Sequence, residues 1–83
     1  MKTLTQYGLM AEKHWRQFLP RMTAHLEATG QLLGLLLATQ ERTEADMDNL
    51  CRRFRRQGLT AEQAHERAWE MVRERYIFLP PEL

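Results

Sequence analysis

The sequence predicts an all-α fold, on the evidence of three observations. Valine and isoleucine each occur once, and no stretch alternates apolar and polar residues in the way of a half-buried strand. Residues with high helix propensity dominate the 83-residue chain. Pro20, Gly30 and Gly58 divide it into segments whose apolar residues recur at helical spacing. We therefore expect one domain, residues 1–83, folded as a small bundle of three to five helices with breaks near those three residues.

The first helix is predicted from about Thr5 to Phe18, with Thr5 as its N-cap. Gly8 should weaken its first turn by about 1 kcal/mol relative to alanine. Pro20 should end this helix, because it disfavours the α conformation at Leu19, and it suits the first turn of a second helix. The apolar stripe of the first helix is Tyr7, Met10, Ala11, His14, Trp15 and Phe18.

The second helix is expected to bury Met22 and Leu26 and to close at Gly30 in the left-handed conformation. The third helix should then run from about residue 31 or 32 to residue 57, with Gly58 as its stop. Polar Gln40 and Thr43 lie within its apolar stripe. A kink or an interruption in this part of the helix is therefore an open alternative, with Thr43 as the cap of a new helix.

The fourth helix begins at Thr60, because Thr60 and Gln63 have the spacing of a capping box. Residues 76–79, which follow it, are too apolar for a free tail and are expected to lie extended against the bundle. The apolar side of the fourth helix consists of Ala64, Ala68, Met71, Val72 and Tyr76. The residues expected to be buried at the centre of the molecule are Trp15, Phe18, Met47, Leu50 and Phe54.

The leucines that open the third helix cover more than one side of it. They are Leu32, Leu33, Leu35, Leu36 and Leu37. Three other short helices cannot easily cover all of them in a domain of this size. The cluster is therefore either the centre of the bundle or in part the seam of a homodimer.

Composition and charge exclude several classes of protein. Twelve Lys and Arg against eleven Asp and Glu give a net charge of +1, which does not indicate a strongly basic nucleic-acid module. The single Cys51 excludes a disulfide within the chain and a cysteine-rich zinc site. The longest apolar stretch is too short to span a bilayer, and the N-terminal residues do not resemble a secretory signal. A cytoplasmic location is the resulting prediction.

Motifs for catalysis, metals or cofactors are not found in the sequence. The three histidines lack paired spacing, so no metal site is predicted. No glycine-rich phosphate loop or dinucleotide fingerprint occurs, and no cofactor is expected. No acid and base share a helix face in a way that indicates catalysis. We therefore expect a protein that is not an enzyme.

A cluster of arginines is the strongest candidate for a binding site. Arg52, Arg53, Arg55 and Arg56 lie within about 160° of one helix face, whereas Phe54 lies on the other side. Such a face suits carboxylates of an acidic protein surface or phosphates of a nucleic acid. It equally suits a solvated helix C-terminus, where cations complement the helix dipole and Asp48 can pair with Arg52.

Trp69 is the second candidate for partner binding. It lies at the edge of the apolar side of the fourth helix, about 100° round from Ala68. A tryptophan at such an edge is either part of the packing or an anchor for a partner.

Two stretches of the chain resemble a known group of proteins. One combines Tyr7-Gly8, the His14-Trp15-Arg16 step, Pro20, and Leu26 followed by Gly30-Gln31-Leu32; the other combines residues 68–72 with residues 79–82. This pattern is similar to that of the small TnpV-type proteins encoded by transposons and other mobile elements. The resemblance covers about half of the chain and implies a mobile-element protein without an assigned enzymatic activity. It assigns no role to any residue.

The function predicted from these observations is protein binding. We expect a non-enzymatic module of a mobile genetic element that occludes a partner protein or complex. By analogy with other small proteins of mobile elements, we expect the partner to be a host-defence complex, which would make the chain an anti-CRISPR candidate. The alternative is a DNA-binding accessory protein of transposition, because the tight turn before Thr60 is similar to a helix-turn-helix step.

Overall fold

The computed structural model describes residues 3–82 of the chain and is built from α-helices. Four helices occur in this range, and it contains no β-strand, which confirms the prediction of a small all-α bundle. The helices are α1 (Gln6–Phe18), α2 (Pro20–Ala28), α3 (Leu32–Arg56) and α4 (Ala61–Tyr76). The long α3 packs against each of the other three.

The predicted breaks at Pro20, Gly30 and Gly58 are confirmed. Pro20 is the first residue of α2, and Leu19 alone separates α1 from α2. Gly30 and Gly58 have φ values of 74° and 102°, in the left-handed region that favours glycine. These two residues set the turns between α2 and α3 and between α3 and α4.

The two predicted N-caps differ in outcome. Thr60 forms the expected capping box, in which Gln63 N donates to Thr60 Oγ1 at 3.1 Å and Thr60 N donates to Gln63 Oε1 at 3.0 Å. Thr5 does occupy the N-cap position of α1, but its side chain makes no capping hydrogen bond. Instead, Thr5 Oγ1 donates to Glu44 Oε1 of α3 at 3.3 Å.

The prediction of one long third helix is confirmed, because α3 continues from Leu32 to Arg56, and the alternative of an interruption near Gln40 and Thr43 is wrong. Buried Thr43 donates its hydroxyl to Thr39 O at 2.8 Å, so it needs no break in the helix. Gln40 accepts a hydrogen bond from Thr5 N and donates to Thr3 O at 3.3 Å. These polar side chains thus hold the segment before α1 against the middle of α3.

The core consists of two neighbouring apolar clusters. One surrounds Trp15, Leu36 and Ile77, and the other joins Met47 and Leu50 of α3 to α4. The residues of α4 that enter the core are Ala64, Ala68 and Val72, whose small side chains allow close packing on α3.

Several expectations for burial are wrong in detail. Phe18 is 38% exposed, because it ends α1 and packs only one side against the ring of His14, at 4.7 Å. Met71 is also exposed, since it lies outside the arc of α4 that faces α3. Phe54 is half-buried, as are Met22 and Leu26, whereas Thr23 is the residue of α2 that is buried.

The C-terminal segment lies against α1 and the start of α2, so the prediction that it packs on the bundle is confirmed. It is not extended from residue 76 as expected, because Tyr76 is the last residue of α4 and Ile77 has αR backbone angles. Ile77 is fully buried, and its carbonyl accepts a hydrogen bond from Trp15 Nε1 at 3.1 Å. Further along, His14 Nε2 lies 2.9 Å from Leu79 O. Glu82 N donates to Phe18 O at 2.9 Å, and the Glu82 carboxylate accepts from Arg21 N and Met22 N at 3.0 and 2.9 Å. The tail therefore caps α2, a contact that the sequence analysis did not predict.

The molecule is flat, with extents of 46 × 34 × 13 Å. Its radius of gyration is 14.3 Å, against about 12 Å for a compact domain of this length. Within the leucine cluster, Leu32 and Leu36 belong to the core, but Leu33 and Leu35 are 55% and 41% exposed. None of the helices in residues 3–82 has the length and apolar character needed to cross a membrane.

Candidate functional site

The four candidate arginines occupy the end of α3 and are all exposed. We call Arg52, Arg53, Arg55 and Arg56 the arginine face. Three of them belong to the last turn of α3, where the free carbonyls carry partial negative charge. Arg56 Nε lies 3.5 Å from Arg52 O, so the side chain of Arg56 lies back along α3 by one turn.

Only a small part of the charge on the arginine face is neutralised by neighbouring carboxylates. Arg52 forms the predicted ion pair with Asp48, one turn earlier in α3. Arg53, Arg55 and Arg56 make no ion pair with a carboxylate of residues 3–82. Three guanidinium groups at one end of the molecule are therefore available to an anionic partner.

Three of the four arginines surround a shallow surface depression, which we call the arginine depression. It is lined by Cys51, Arg52, Arg55, Arg56 and Ala61. Cys51 is half-buried, Ala61 is small and exposed, and the lining, which includes the three arginine side chains, exposes mainly apolar atoms. Ala61 reaches this position because the turn at Gly58 places the start of α4 beside the end of α3. Arg53 does not line the depression.

Trp69 is both packed and accessible. Its ring stacks on Tyr7, with centroids 5.6 Å apart and planes at 24°, and meets the edge of Phe78 at 6.0 Å and 74°. Aromatic pairs with this geometry are stabilising beyond the area they bury. Half-buried Trp69 nevertheless lines a second depression, the aromatic depression, together with Gln6, Tyr7, Met10 and His65.

The neighbouring Tyr7 keeps its phenol in the neutral form. Burial raises the pKa of Tyr7, and the nearby Cys51 and Glu44 raise it further. Tyr7 therefore contributes an uncharged ring to the aromatic depression.

Other charged clusters in the described part of the chain stabilise contacts between helices. Arg16 joins Glu12 of its own helix to Glu27 of α2, with Nη2 to Oε2 distances of 3.0 and 2.9 Å. The hydrogen bond and charge of Arg16 lower the pKa of Glu27. No group of three His, Cys, Asp or Glu side chains within residues 3–82 is arranged to hold a metal ion.

The sequence identified the arginines and Trp69 as candidates, but not the residues that lie beside them in the folded chain. Ala61 and Cys51 join the site only because α4 folds back on α3, and Tyr7 joins it from α1. The capping box at Thr60 gave the start of α4 and so could have placed Ala61 near the end of α3. No signal in the sequence places Tyr7 against Trp69.

Comparisons with known proteins give no relative: no protein-family model matches the chain, and neither a curated protein nor a solved structure is significantly similar to it. The resemblance to TnpV-type proteins therefore rests on the sequence motifs alone.

Proposed function

We propose that this chain is a non-enzymatic protein-binding module of a mobile genetic element, which occludes the surface of a partner protein or complex with its arginine face. The mobile-element origin follows from the TnpV-type motifs. In that setting, a host-defence complex such as a CRISPR effector is a suitable partner, and the chain is an anti-CRISPR candidate.

The observation that carries the proposal is that three guanidinium groups at the end of α3, those of Arg53, Arg55 and Arg56, have no carboxylate partner among residues 3–82. Complementing the helix dipole requires only one or two cations, each worth about 0.3–1 kcal/mol. Arginine keeps its charge at any physiological pH and forms bidentate contacts with carboxylates. The additional arginines are therefore better explained by contact with an acidic partner than by the needs of the fold.

The second candidate function is a DNA-binding accessory protein, favoured by the short turn between α3 and α4. A recognition helix, however, usually presents basic or amide side chains near its start. Here α4 presents Glu62, Glu66 and Glu70, all exposed, which would repel phosphates. A protein partner is accordingly the preferred reading of the arginine face.

The proposal is tested by a triple variant, Arg52→Gln, Arg53→Gln and Arg56→Gln. Its matched control carries three other exposed arginines as glutamine, Arg21→Gln, Arg42→Gln and Arg67→Gln. Each protein is used as bait in a lysate of the host, and captured proteins are identified by mass spectrometry. We expect a partner that the wild type and the control capture and that the triple variant loses.

The binary affinity for that purified partner should fall at least tenfold in the triple variant, with thermal stability nearly unchanged. Equal capture by the folded triple variant and the wild type would contradict the proposal. If the partner is DNA instead, binding should fall uniformly across sequences, and the slope of log affinity against log salt should shrink by up to about three units.

A further inference from the structure

The arginine depression combines an apolar surface with cations. Its lining exposes mainly apolar atoms, although three of its five residues are arginines. Ala61 is small and Cys51 is half-buried, so the carbon atoms of the arginine side chains supply much of that surface. Long charged side chains commonly lay their methylene stems along apolar surface and keep the charged end in water. The depression therefore offers apolar contact with guanidinium groups no more than one side-chain length away.

The cations beside this apolar surface are open to a carboxylate from outside the chain. Arg55 and Arg56 make no ion pair with a carboxylate of residues 3–82. Arg52 does pair with Asp48, but both side chains are exposed. An exposed pair one helical turn apart is weak, so a carboxylate of a partner can compete with Asp48 for Arg52.

The shape of the depression limits what it can bind. Its volume is about 470 Å³, but it is shallow and open to solvent. A site for a small molecule buries most of its ligand, which a shallow surface does not do. The depression therefore suits one large, flat side chain that a partner presents from its own surface.

We propose that the arginine depression binds an aromatic side chain of the partner protein, presented in an acidic segment with carboxylates on both sides of the ring. The faces of an aromatic ring are apolar, as the lining requires, and a guanidinium group stacks on such a face. The flanking carboxylates pair with Arg55 and Arg56, which can hold them by two parallel hydrogen bonds each. Tyrosine and tryptophan are also frequent anchors of protein interfaces. This inference rests on the proposed function and names the part of the partner that the arginine face contacts.

A nucleic acid fits the arginine depression less well than an acidic aromatic segment. A base could stack on an arginine, but its strand carries a phosphate at every nucleotide and needs cations along its path. The first turns of α4, beside Ala61, present exposed Glu62 and Glu66, which pair with no cation of residues 3–82. These carboxylates repel a strand that continues over α4. A protein segment can carry its carboxylates only where the arginines lie.

The test uses the full chain and three unlabelled synthetic peptides of equal length. The acidic aromatic peptide has one tryptophan between two pairs of glutamates, in a background of glycine and serine. The second peptide has alanine in place of the tryptophan, and the third has glutamine in place of the glutamates. In NMR titrations of the isotope-labelled protein, we expect the acidic aromatic peptide to bind at least tenfold more tightly than either of the others. It should also bind at least tenfold more tightly than a single strand of thymidine nucleotides with the same number of charges.

Ala61→Glu tests the depression in the protein. It puts a carboxylate beside the arginines, at the first position of α4, where the helix dipole favours negative charge and folding should persist. Affinity for the acidic aromatic peptide should fall at least tenfold. The matched control is Ala24→Glu, the same substitution at an exposed position of α2 outside the depression, and it should bind like the wild type.

A second pair of variants separates the depression from the general positive charge at the end of α3. Arg55→Gln and Arg53→Gln each remove one exposed cation without a carboxylate partner in residues 3–82, but only Arg55 lines the depression. Affinity for the acidic aromatic peptide should fall at least fivefold in Arg55→Gln and less than twofold in Arg53→Gln. Both positions are exposed, so this pair remains usable if Ala61→Glu fails to fold.

Equal affinity for the tryptophan and alanine peptides would overturn this inference, and so would tighter binding of the thymidine strand or equal losses in Arg55→Gln and Arg53→Gln. These outcomes are separate from a failure of the proposed function, because that function depends on whether the arginine triple variant loses its partner from lysate. A partner lost by the triple variant but kept by folded Ala61→Glu would leave the function standing and refute binding in the depression.

Discussion

At the scale of single residues, Gly8 of α1 lies directly against the side chain of Gln40 in α3. A Cβ atom at Gly8 would lie 2.6 Å from Gln40 Oε1 and 2.7 Å from Leu4 Cδ2. Gln40 Oε1 cannot move away freely, since it accepts the hydrogen bond from Thr5 N. The low helix propensity of glycine is therefore offset by a contact that no larger residue permits.

We predict that Gly8→Ala destabilises the fold by about 1–3 kcal/mol, the usual cost of overpacking. Gly34→Ala is the matched control: Gly34 also lies within a helix, and a Cβ there meets nothing within 4 Å. That variant should be more stable than the wild type by about 0.5–1 kcal/mol, from helix propensity alone. Urea denaturation of both variants provides the measurement. A gain in stability for Gly8→Ala similar to that of Gly34→Ala would contradict the packing argument.

A second prediction at this scale concerns pH and the bridge between α1 and α2. Arg16 lowers the pKa of Glu27 from its ordinary value of 4.5. Because the folded pKa lies below the unfolded one, the bridge stabilises the fold above about pH 4.5, and this contribution is lost as the pH falls through the lowered value. Glu27→Gln should therefore lower the melting temperature at pH 7, and its difference from the wild type should vanish once the pH is well below the lowered pKa of Glu27. Glu70→Gln, which removes an exposed carboxylate outside any ion pair in residues 3–82, is the control. A difference in melting temperature between Glu27→Gln and the wild type that stays constant with pH would contradict a stabilising role of the bridge.

At the scale of the helices, the C-terminal segment stabilises α2 from a distance of about sixty residues in sequence. Residue Leu19, at the N-cap position of α2, provides no side-chain hydrogen bond. The Glu82 carboxylate takes over this role, because it accepts from two backbone amides of the first turn and places negative charge at the positive end of the helix. Removing it leaves both amides without that partner.

We expect Glu82→Ala to cost roughly 1–2 kcal/mol of stability, the usual effect of losing a helix cap. Native-state hydrogen exchange should show faster exchange at Arg21 and Met22, the two amides that Glu82 accepts from. Glu82→Gln keeps an acceptor oxygen and should lie between Glu82→Ala and the wild type. Unchanged exchange at both amides in the alanine variant would indicate that water replaces the carboxylate without loss.

The helices also show which features the sequence can predict. Gly30, Gly58 and the capping box at Thr60 act through neighbouring residues, so the sequence placed these boundaries correctly. Gln40 and Thr43 suggested a break, because the partner of Gln40 lies more than 30 residues away and only the folded chain reveals it. Phe18 continues the apolar stripe of α1, and Pro20 correctly predicts the end of that helix, but neither signal shows that the Phe18 ring stays partly at the surface.

The candidate site likewise combines features that the sequence predicts with features that only the folded chain reveals. The arginine face follows from spacing within α3, so residues 52–56 could be assigned to one exposed surface from the sequence. The lining of the arginine depression depends on Ala61 from the next helix. The aromatic depression depends on the contact of Tyr7 with Trp69 across more than 60 residues. Tertiary contacts of this range leave no local pattern, so both depressions could only be recognised in the folded chain.

At the scale of the whole molecule, the flat shape limits how much apolar surface can be covered. With a smallest extent of 13 Å, the fold has little depth for a large core, and side chains outside the clusters reach solvent. The exposed leucines at the start of α3 are a consequence. Leu33 lines a surface depression together with Leu4, Leu32 and Leu36, and we call these four side chains the apolar floor. The charged Glu12, Arg16 and Glu27 line the same depression. Leu35 lies outside this floor.

We therefore predict that the chain self-associates through Leu33 at high micromolar concentration. Covering a side chain that is 55% exposed, together with the apolar floor beside it, removes apolar surface from water at about 25 cal/mol per Å². Leu33→Gln should shift the protein to monomer in sedimentation velocity. The matched control is Leu35→Gln, at the other exposed leucine of the cluster, which should sediment like the wild type. The arginine face lies outside this floor, so the monomeric variant should still capture the partner that the wild type captures from lysate. A wild type that stays strictly monomeric up to high micromolar concentration would remove the dimer seam and leave the exposed leucine as a consequence of the flat fold alone.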